Sequence, residues 1–295
     1  SWDEEKAKRR ALEGEREDMD GTLSGKVAVI TGGASGIGRA LAEGMLAEGM
    51  QVMIADIEAG KLAQTARELG VAGVQTDVSD PDQVAALAAR AVEAFGTVHV
   101  MCNNAGIGPM SPVVDLTLAD WQWMIDVNVR GTVHGITHFL PILRGNAEGG
   151  HFLNTCSMAS LMPVPTLATY CMSKYGLLGL SEVLAMEMQT AGEKVGVTAL
   201  CPGPVSTDLG SSTRNRPADL AGGLRDVILE DSEQFKDQTV DWITPADAAA
   251  IAIGAIKRGD FYAITHPGMW PEVEARHEAI AKAFADEKAR REVAA

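Results

Sequence analysis

The hydrophobic pattern of the chain changes character at Lys26, where short apolar, β-branched runs begin to alternate with longer segments of helical periodicity. The short runs predict strands at 27–31, 51–55, 73–76, 98–103, 151–156, 195–201 and 261–264. The segments between them predict helices at 37–48, 59–68, 81–95, 119–143, 168–190 and 245–258. This alternation predicts an α/β fold with a doubly wound parallel sheet, in which ligands bind at the carboxyl ends of the strands.

The pattern indicates one domain, 22–265, flanked by two extensions. Residues 1–21 form a charged arm that we expect to be mobile, or to be a helix lying on the surface or on a partner subunit. Residues 266–295 form a C-terminal extension. Within the domain, 207–242 is rich in Ser, Arg, Asp, Gly and Pro and follows a strand end, which is typical of a lid; an ordinary surface excursion is the alternative.

Composition excludes several classes of partner. The 295 residues are 46% hydrophobic, enough for a buried core, and carry a formal net charge of −15. Such an acidic surface repels phosphate backbones and anionic membranes, so neither a nucleic acid nor a membrane is expected as partner. Residues 1–20 are charged, unlike a signal peptide, and no apolar run is long enough to cross a bilayer, which predicts a cytoplasmic protein.

The thiol and imidazole side chains predict no metal site. The four cysteines are widely spaced and lie beside apolar residues, which favours buried thiols in a reducing compartment. The six histidines show no metal-ligand spacing with acids or cysteines. No metal is therefore expected.

A glycine-rich turn, T-G-G-A-S-G-I-G over 31–38, follows the first predicted strand and opens the first predicted helix. Glycines in this context let the backbone approach a pyrophosphate, and the free N–H groups of the helix N-terminus bind it. The second strand ends at Asp56, whose carboxylate would accept hydrogen bonds from the adenosine ribose and repel a 2′-phosphate. Because no Lys or Arg occupies 33–35, the sequence predicts NAD, with NADP less favoured.

Polar and small residues follow two further strands. Asp77 and Val78 come after the third strand, and residues 103–106 read N-N-A-G after the fourth. These residue types suit a ledge for adenine and its ribose, although ordinary turn chemistry would also place them there.

A phenol and an ammonium share one face of the helix predicted at 168–190. Tyr170 and Lys174 are four residues apart, and a nearby cation favours the phenolate and lowers the pKa of a tyrosine towards working pH. Ser157 ends the preceding strand, where its hydroxyl could hold a reacting oxygen. A proton-transfer set of this kind predicts an enzyme.

Taken together, the chain from about Leu23 to Phe261 resembles the short-chain dehydrogenase/reductase family, whose sheet is a Rossmann fold. The resemblance is carried by the T-G-x-x-x-G-x-G turn at 31–38, Asp77, N-N-A-G at 103–106, Asn128, Ser157, Y-x-x-x-K at 170–174 and Pro202-Gly203. It implies that Tyr170 is the general acid/base and that Ser157 binds the substrate oxygen. It also implies that Lys174 lowers the tyrosine pKa and holds the nicotinamide ribose, and that Asn128 supports a water-linked proton relay.

The resemblance further implies a set of residues that contact the dinucleotide. They lie in the turn, at strand ends and in the catalytic helix: Gly32, Ser35, Gly36, Ile37, Gly38, Asp56, Asp77, Val78, Asn104, Ala105, Gly106, Tyr170, Lys174, Pro202, Gly203, Val205 and Thr207. Relatives commonly assemble through the helices that carry Asn128 and Tyr170, which implies a homodimer or homotetramer.

Residues expected near the substrate are mostly apolar: Met110, Met158, Met162 and Pro204. With no Arg or Lys among them to bind a carboxylate, we predict a hydrophobic, uncharged secondary alcohol or ketone. One alternative is a non-catalytic dinucleotide-binding sensor, against which the intact Ser157, Tyr170 and Lys174 argue. The other is a different reaction on the same scaffold, such as enoyl reduction or epimerisation.

Overall fold

The computed structural model describes residues 22–228 and 241–294. The predicted arm at 1–21 and the lid residues 229–240 lie outside the described residues. The described residues contain the alternating strands and helices that the sequence predicts.

Seven parallel strands form one sheet in the order β3-β2-β1-β4-β5-β6-β7. Their bounds are Val27–Thr31 (β1), Gln51–Asp56 (β2), Ala72–Gln75 (β3), Val100–Asn103 (β4), Gly150–Thr155 (β5), Val195–Cys201 (β6) and Tyr262–Ile264 (β7). β1 and β6 are buried along their whole length, which explains why they are continuous apolar runs rather than alternating ones. The strand order reverses between β1 and β4, so the predicted doubly wound sheet is confirmed.

Helices cover both faces of the sheet. They span Gly36–Ala47 (α1), Ala59–Leu69 (α2), Pro81–Phe95 (α3), Leu118–Met124 (α4), Gly131–Gly145 (α5), Ala168–Thr190 (α6), Pro245–Arg258 (α7) and Trp270–Ala294 (α8). One face of the sheet buries a cluster that includes Leu87, Phe139 and Leu177, and the other buries Leu41 and Ile253. No helix in the described part of the chain is long and apolar enough to cross a membrane.

The structure differs from the sequence prediction at two helices. The continuous helix predicted over 119–143 is interrupted by a π-helical turn at Ile125–Arg130, and the apolar periodicity that runs through this region does not reveal the wider turn. The C-terminal extension, for which we predicted no element, forms α8. Val273 of α8 is buried in the core, so the extension begins by packing on the domain.

Candidate active site

The carboxyl ends of the strands open into a cavity of about 510 Å³. The cavity lies where the strand order reverses, which is the position expected for a ligand in a doubly wound sheet. Both halves of the predicted site contribute to it, the glycine-rich turn at one end and Tyr170 at the other. The sequence-predicted phosphate and catalytic groups therefore share one cleft.

The glycine-rich turn is held in a conformation that larger residues would not tolerate. Gly36 has a φ of +52°, in the left-handed region, and begins α1. A Cβ at Gly38 would stand 2.0 Å from the carbonyl oxygen of Gly32, so only glycine lets the helix approach the turn. Ser35 precedes α1 without a side-chain capping bond, which leaves the first N–H groups of the helix free to bind an anion. Gly38 itself acts behind the turn and does not line the cavity.

Asp56 ends β2 and is fixed by two backbone donors. Its carboxylate accepts hydrogen bonds from the N–H of Ala34 (3.1 Å) and the N–H of Glu58 (3.0 Å). Burial raises the pKa of Asp56, and these two donors oppose that effect. The carboxylate is thereby held beside the glycine-rich turn, where it lines the cavity.

The ends of β1, β4 and β5 are joined through one amide. The side-chain N–H₂ of Asn104 donates to the carbonyl of Thr31 (3.0 Å), and its oxygen accepts from the hydroxyl of Thr155 (3.2 Å). Asp77 is bound locally by the N–H and hydroxyl of Ser79. The predicted ledge residues that line the cavity are Asp77, Val78, Asn104, Ala105 and Gly106.

Ser157, Tyr170 and Lys174 are brought together at the other end of the cleft. All three are buried and line the cavity. The Lys174 ammonium donates to the carbonyl of Thr155 at 2.7 Å and lies 5.5 Å from the centre of the Tyr170 ring. Ser157 caps a short 3₁₀ turn, accepting a bond from the N–H of Ala159 at 3.1 Å. The segment after β5 and the helix α6 therefore place the three polar groups in the same part of the cavity.

Burial controls the protonation of this set. It raises the pKa of Tyr170 to about 12, against which the hydrogen bond from Ser157 acts, and it lowers the pKa of Lys174, which is 4% exposed, to about 8. The expectation from the sequence was that Lys174 lowers the tyrosine pKa. In the structure burial is the largest effect on the pKa of Tyr170 and raises it, while the lowering by Lys174 stays a prediction.

Asn128 lies in the π turn and stands behind the cavity rather than lining it. Its side chain accepts from the N–H of Ile107 (2.8 Å) and donates to the carbonyl of the same residue (3.0 Å) and to the hydroxyl of Ser173 (3.1 Å). A Cβ at Gly106 would lie 3.3 Å from the Asn128 oxygen and 3.7 Å from the Lys174 nitrogen. Asn128 and Lys174 therefore both lie close to Gly106.

The segment after β6 carries the remaining predicted cofactor contacts. Pro202, Gly203, Val205 and Thr207 all line the cavity. The N–H of Gly203 is bound by the hydroxyl of Thr265 (3.0 Å) and by Nδ1 of His266 (3.2 Å). His266 was assigned to the C-terminal extension, yet its ring is buried and positions this segment.

Three of the four predicted substrate residues line the cavity: Met158, Met162 and Pro204. Met110 does not. It is buried in an isolated β-bridge with Arg225, and its backbone N–H donates to the Arg225 carbonyl at 3.1 Å. A strand-end position in the sequence did not show that the lid would cover this residue.

Several lining residues were not predicted from the sequence: Ile107, Trp123, Val127, Leu167, Glu58, Arg214, Asn215, Met269 and Glu272. Trp123 lies in the last turn of α4 and Val127 in the π turn that follows it, and no pattern in the sequence signals that turn. The extension supplies Met269 and Glu272, and the lid supplies Arg214 and Asn215. Contacts of this kind depend on tertiary structure.

A buried carboxylate fastens the described part of the lid to α4. Asp120 is fully buried, accepts from the N–H groups of Gly223 (2.8 Å) and Leu224 (3.0 Å), and lies 2.7 Å from the Arg216 guanidinium. Arg216 also lies over the Trp123 ring, 5.1 Å from its centre. Burial alone would raise the pKa of Asp120, but the backbone N–H of Thr117 and these lid donors together hold it well below its usual range. The lid is therefore anchored at the back of the cavity.

The sheet order, the glycine-rich turn and the Ser-Tyr-Lys set agree with a comparison against protein families, in which residues 26–218 match the short chain dehydrogenase model. The chain belongs to the short-chain dehydrogenase family. As a member of this family, it is an oxidoreductase. A family member from Burkholderia phymatum, solved in complex with NAD, superposes with a TM-score of 0.83 at 37% identity, covering 89% of this chain and 96% of that one.

Two curated relatives are similar to this short-chain dehydrogenase over most of its length. The CLA biosynthesis dehydrogenase/reductase of Lactiplantibacillus plantarum is 30% identical over 86% of this chain and 93% of its own length. The D-threitol dehydrogenase of Mycolicibacterium smegmatis is 32% identical over 81% of this chain and 92% of its own length. The two names describe different activities, and neither assigns a substrate to this chain.

Proposed function

We propose that this short-chain dehydrogenase transfers a hydride between NAD and a hydrophobic, uncharged secondary alcohol or ketone, with Tyr170 as general acid/base. One observation carries the proposal. A phenol, a hydroxyl and an ammonium are buried together in the same cavity that contains Asp56 and the glycine-rich turn. A protein that only bound the dinucleotide would need Asp56 and the glycine-rich turn, but not the three buried polar groups.

The cleft fits a dinucleotide on its own residues. The free N–H groups at the start of α1 suit the pyrophosphate, Asp56 suits the adenosine ribose, and Pro202, Gly203 and Thr207 would flank the nicotinamide. When bound, NAD supplies the hydride acceptor. The protein's contribution is to hold the reacting carbon and oxygen in place beside it.

The chemistry of the chain's own groups is proton transfer. The Ser157 hydroxyl would bind the substrate oxygen, and Tyr170 would take the hydroxyl proton during oxidation or return it during reduction. The Lys174 ammonium, 5.5 Å from the tyrosine ring, stabilises the phenolate while that charge exists. Asn128 lies behind the cavity, close to Gly106, and would support a water-linked proton relay through Lys174.

The lining of the substrate end favours an uncharged, apolar substrate. Met158, Met162, Trp123, Val164 and Leu167 contribute apolar surface there. Among the described lining residues the basic side chains are Lys174 and Arg214, the first bound to Thr155 and the second to Glu58. Within the described part of the chain, no lining cation other than these two is present to bind a substrate carboxylate.

Asp56 supports NAD over NADP, because a carboxylate at the end of β2 repels a 2′-phosphate. The crystal structure of the Burkholderia relative with NAD is consistent with this preference. We further propose a cytoplasmic homodimer or homotetramer, with neither nucleic acid nor membrane as partner. Analytical ultracentrifugation of the purified protein tests the assembly.

The first test is activity with NAD or NADP and a panel of hydrophobic secondary alcohols, followed by absorbance of the reduced nicotinamide. Tyr170→Phe should lower kcat by at least about 100-fold, because it removes the proton-transfer group and leaves the ring. Tyr175→Phe is the matched control, since Tyr175 lies on the same helix but does not line the cavity.

The alternatives give different results in the same experiment. A non-catalytic sensor would bind NAD in a titration but reduce none with any alcohol, and Tyr170→Phe would change nothing. An enoyl reductase or an epimerase would be inactive with saturated alcohols and active with an enoyl thioester or a sugar nucleotide. Turnover of a secondary alcohol that disappears in Tyr170→Phe excludes both.

A further inference from the structure

The first part of the lid crosses the mouth of the cleft from one end to the other. Thr207 lies against the glycine-rich turn, 3.2 Å from where a Cβ of Gly36 would stand. Leu209 packs on the cluster that contains Tyr170, and the Ser212 hydroxyl accepts from the N–H of Gly108 at 3.4 Å. The segment then continues to Arg214, which lies at the adenosine edge near Asp56.

At that edge, one carboxylate binds two lid residues. Glu58 accepts from Nε (3.0 Å) and a terminal nitrogen (2.7 Å) of Arg214, and from the side-chain amide of Asn215 (3.1 Å). The ion pair joins residues 156 positions apart in the chain and is only partly exposed. The Arg214 guanidinium holds the pKa of Glu58 down at about 2, so the carboxylate is charged throughout the neutral range.

Glu58 is also next to the group that reads the ribose. Its backbone N–H donates to the Asp56 carboxylate, and its side chain holds the Arg214 guanidinium, so Arg214 is bound to the residue two positions after Asp56. An arginine in this position is the side chain that accommodates a 2′-phosphate in NADP-binding sheets. Here both nearby cations are already engaged, since Lys61 lies 3.3 Å from Glu58 and 3.7 Å from Asp208.

We infer that Glu58 is a specificity-determining residue, which keeps Arg214 of the lid from binding a 2′-phosphate and so completes the preference for NAD. The inference rests on the proposed dinucleotide function and extends it. Asp56 repels the phosphate directly, and Glu58 removes the cation that would otherwise attract it. Loss of the Glu58 carboxylate releases the Arg214 guanidinium and leaves Asp56 in place.

The test is a titration of NADH and NADPH, followed by nicotinamide fluorescence, on wild type, Glu58→Gln, Arg214→Gln and the double variant. Glu58→Gln should raise NADPH affinity relative to NADH by about tenfold, the value of one charge-assisted hydrogen bond. Arg214→Gln should not raise the ratio, because it removes the guanidinium and keeps the Glu58 carboxylate near Asp56. The double variant should lose the gain, because the released arginine is what binds the phosphate.

The ratio of the NADPH and NADH affinities separates an effect on cofactor choice from loosening of the lid. Loosening would weaken the binding of both cofactors alike. Glu193→Gln is the matched control, since its ion pair with Arg144 lies away from the cavity. An unchanged ratio in Glu58→Gln, or a gain that survives in the double variant, overturns the inference. Wild type that binds neither nucleotide overturns the proposed function and this inference with it. Wild type that prefers NADPH overturns only the argument from Asp56 if the Glu58→Gln gain still requires Arg214.

Discussion

Lys174 illustrates how burial sets chemistry at the scale of one residue. Its ammonium is enclosed by β5 and α6 and is bound by a single carbonyl, that of Thr155. Removal from water penalises the charged form, which lowers the pKa of Lys174 from 10.5 to about 8. The same enclosure raises the pKa of Tyr170 to about 12. Burial therefore favours the neutral form of both groups, the uncharged amine and the protonated phenol.

The lowered lysine pKa predicts a pH-dependent stability. Between pH 8 and pH 10 the unfolded chain binds a proton at residue 174 that the folded chain does not, so the free energy of unfolding should rise with pH. The rise attributable to Lys174 should be on the order of 2 kcal/mol. Urea unfolding of wild type and Lys174→Met across this window measures it as the difference between the two curves. Parallel curves would contradict the prediction.

At the scale of elements, the lid depends on a side chain that belongs to another element. Asp120 is both part of the capping box that begins α4 and the acceptor for the backbone of the lid. The capping bond joins Asp120 to Thr117 at the start of the same helix, whereas the lid contacts join it to residues about a hundred positions away. One carboxylate thus couples the start of a helix to the closure of the cavity.

Asp120→Asn should destabilise the protein and loosen the lid. The change leaves Arg216 beside a neutral group, so the free energy of unfolding should fall by about 3 kcal/mol. KM for the alcohol should rise with it. In wild type, because the pKa of Asp120 is lowered by folding, its contribution is complete above the ordinary aspartate value of 3.8 and is lost as pH falls below it.

The control for this prediction is Asp126→Asn, whose carboxylate pairs with Arg130 at the surface. Its effect on unfolding should stay below about 1 kcal/mol. Equal effects of the two substitutions would show that the lid does not rely on Asp120.

The elements themselves were largely predictable, and the reasons are physical. Buried parallel strands need continuous apolar runs, and the turn at 31–38 needs glycine at fixed places, so both leave a mark in the sequence. The π turn around Asn128 leaves none, because the apolar spacing passes through it unchanged. The positions of Met110 and Arg214 were missed for a different reason: the lid has no periodicity, and its contacts are made across the whole fold.

At the scale of the whole molecule, α8 is exposed along most of its length. Val273 is 3% exposed and belongs to the core, whereas Phe284 is 77% exposed. The ion pairs of the outer part are formed within the helix itself, for example Lys282 with Asp286. The first two turns of α8 therefore contact the domain, through Val273 and through Arg276, which lies over the Tyr175 ring.

Removing residues 278–294 should leave the domain folded, with a fall in Tm of less than about 2 °C. Removing 270–294 should lower Tm by at least about 5 °C, because it also exposes the site occupied by Val273. Differential scanning calorimetry compares the two truncations, with Val273→Ala in the full chain as a third sample. A large loss from the shorter deletion would show that the outer helix packs on another surface, such as a second subunit.

The path of the lid has a consequence for how this protein can diverge. One segment packs on Tyr170 through Leu209 and on the adenosine edge through Arg214. A substitution that reshapes the lid for a new alcohol therefore also shifts the hold on the dinucleotide. Substrate range and cofactor binding are therefore coupled in this chain, and selection that changes one will also change the other.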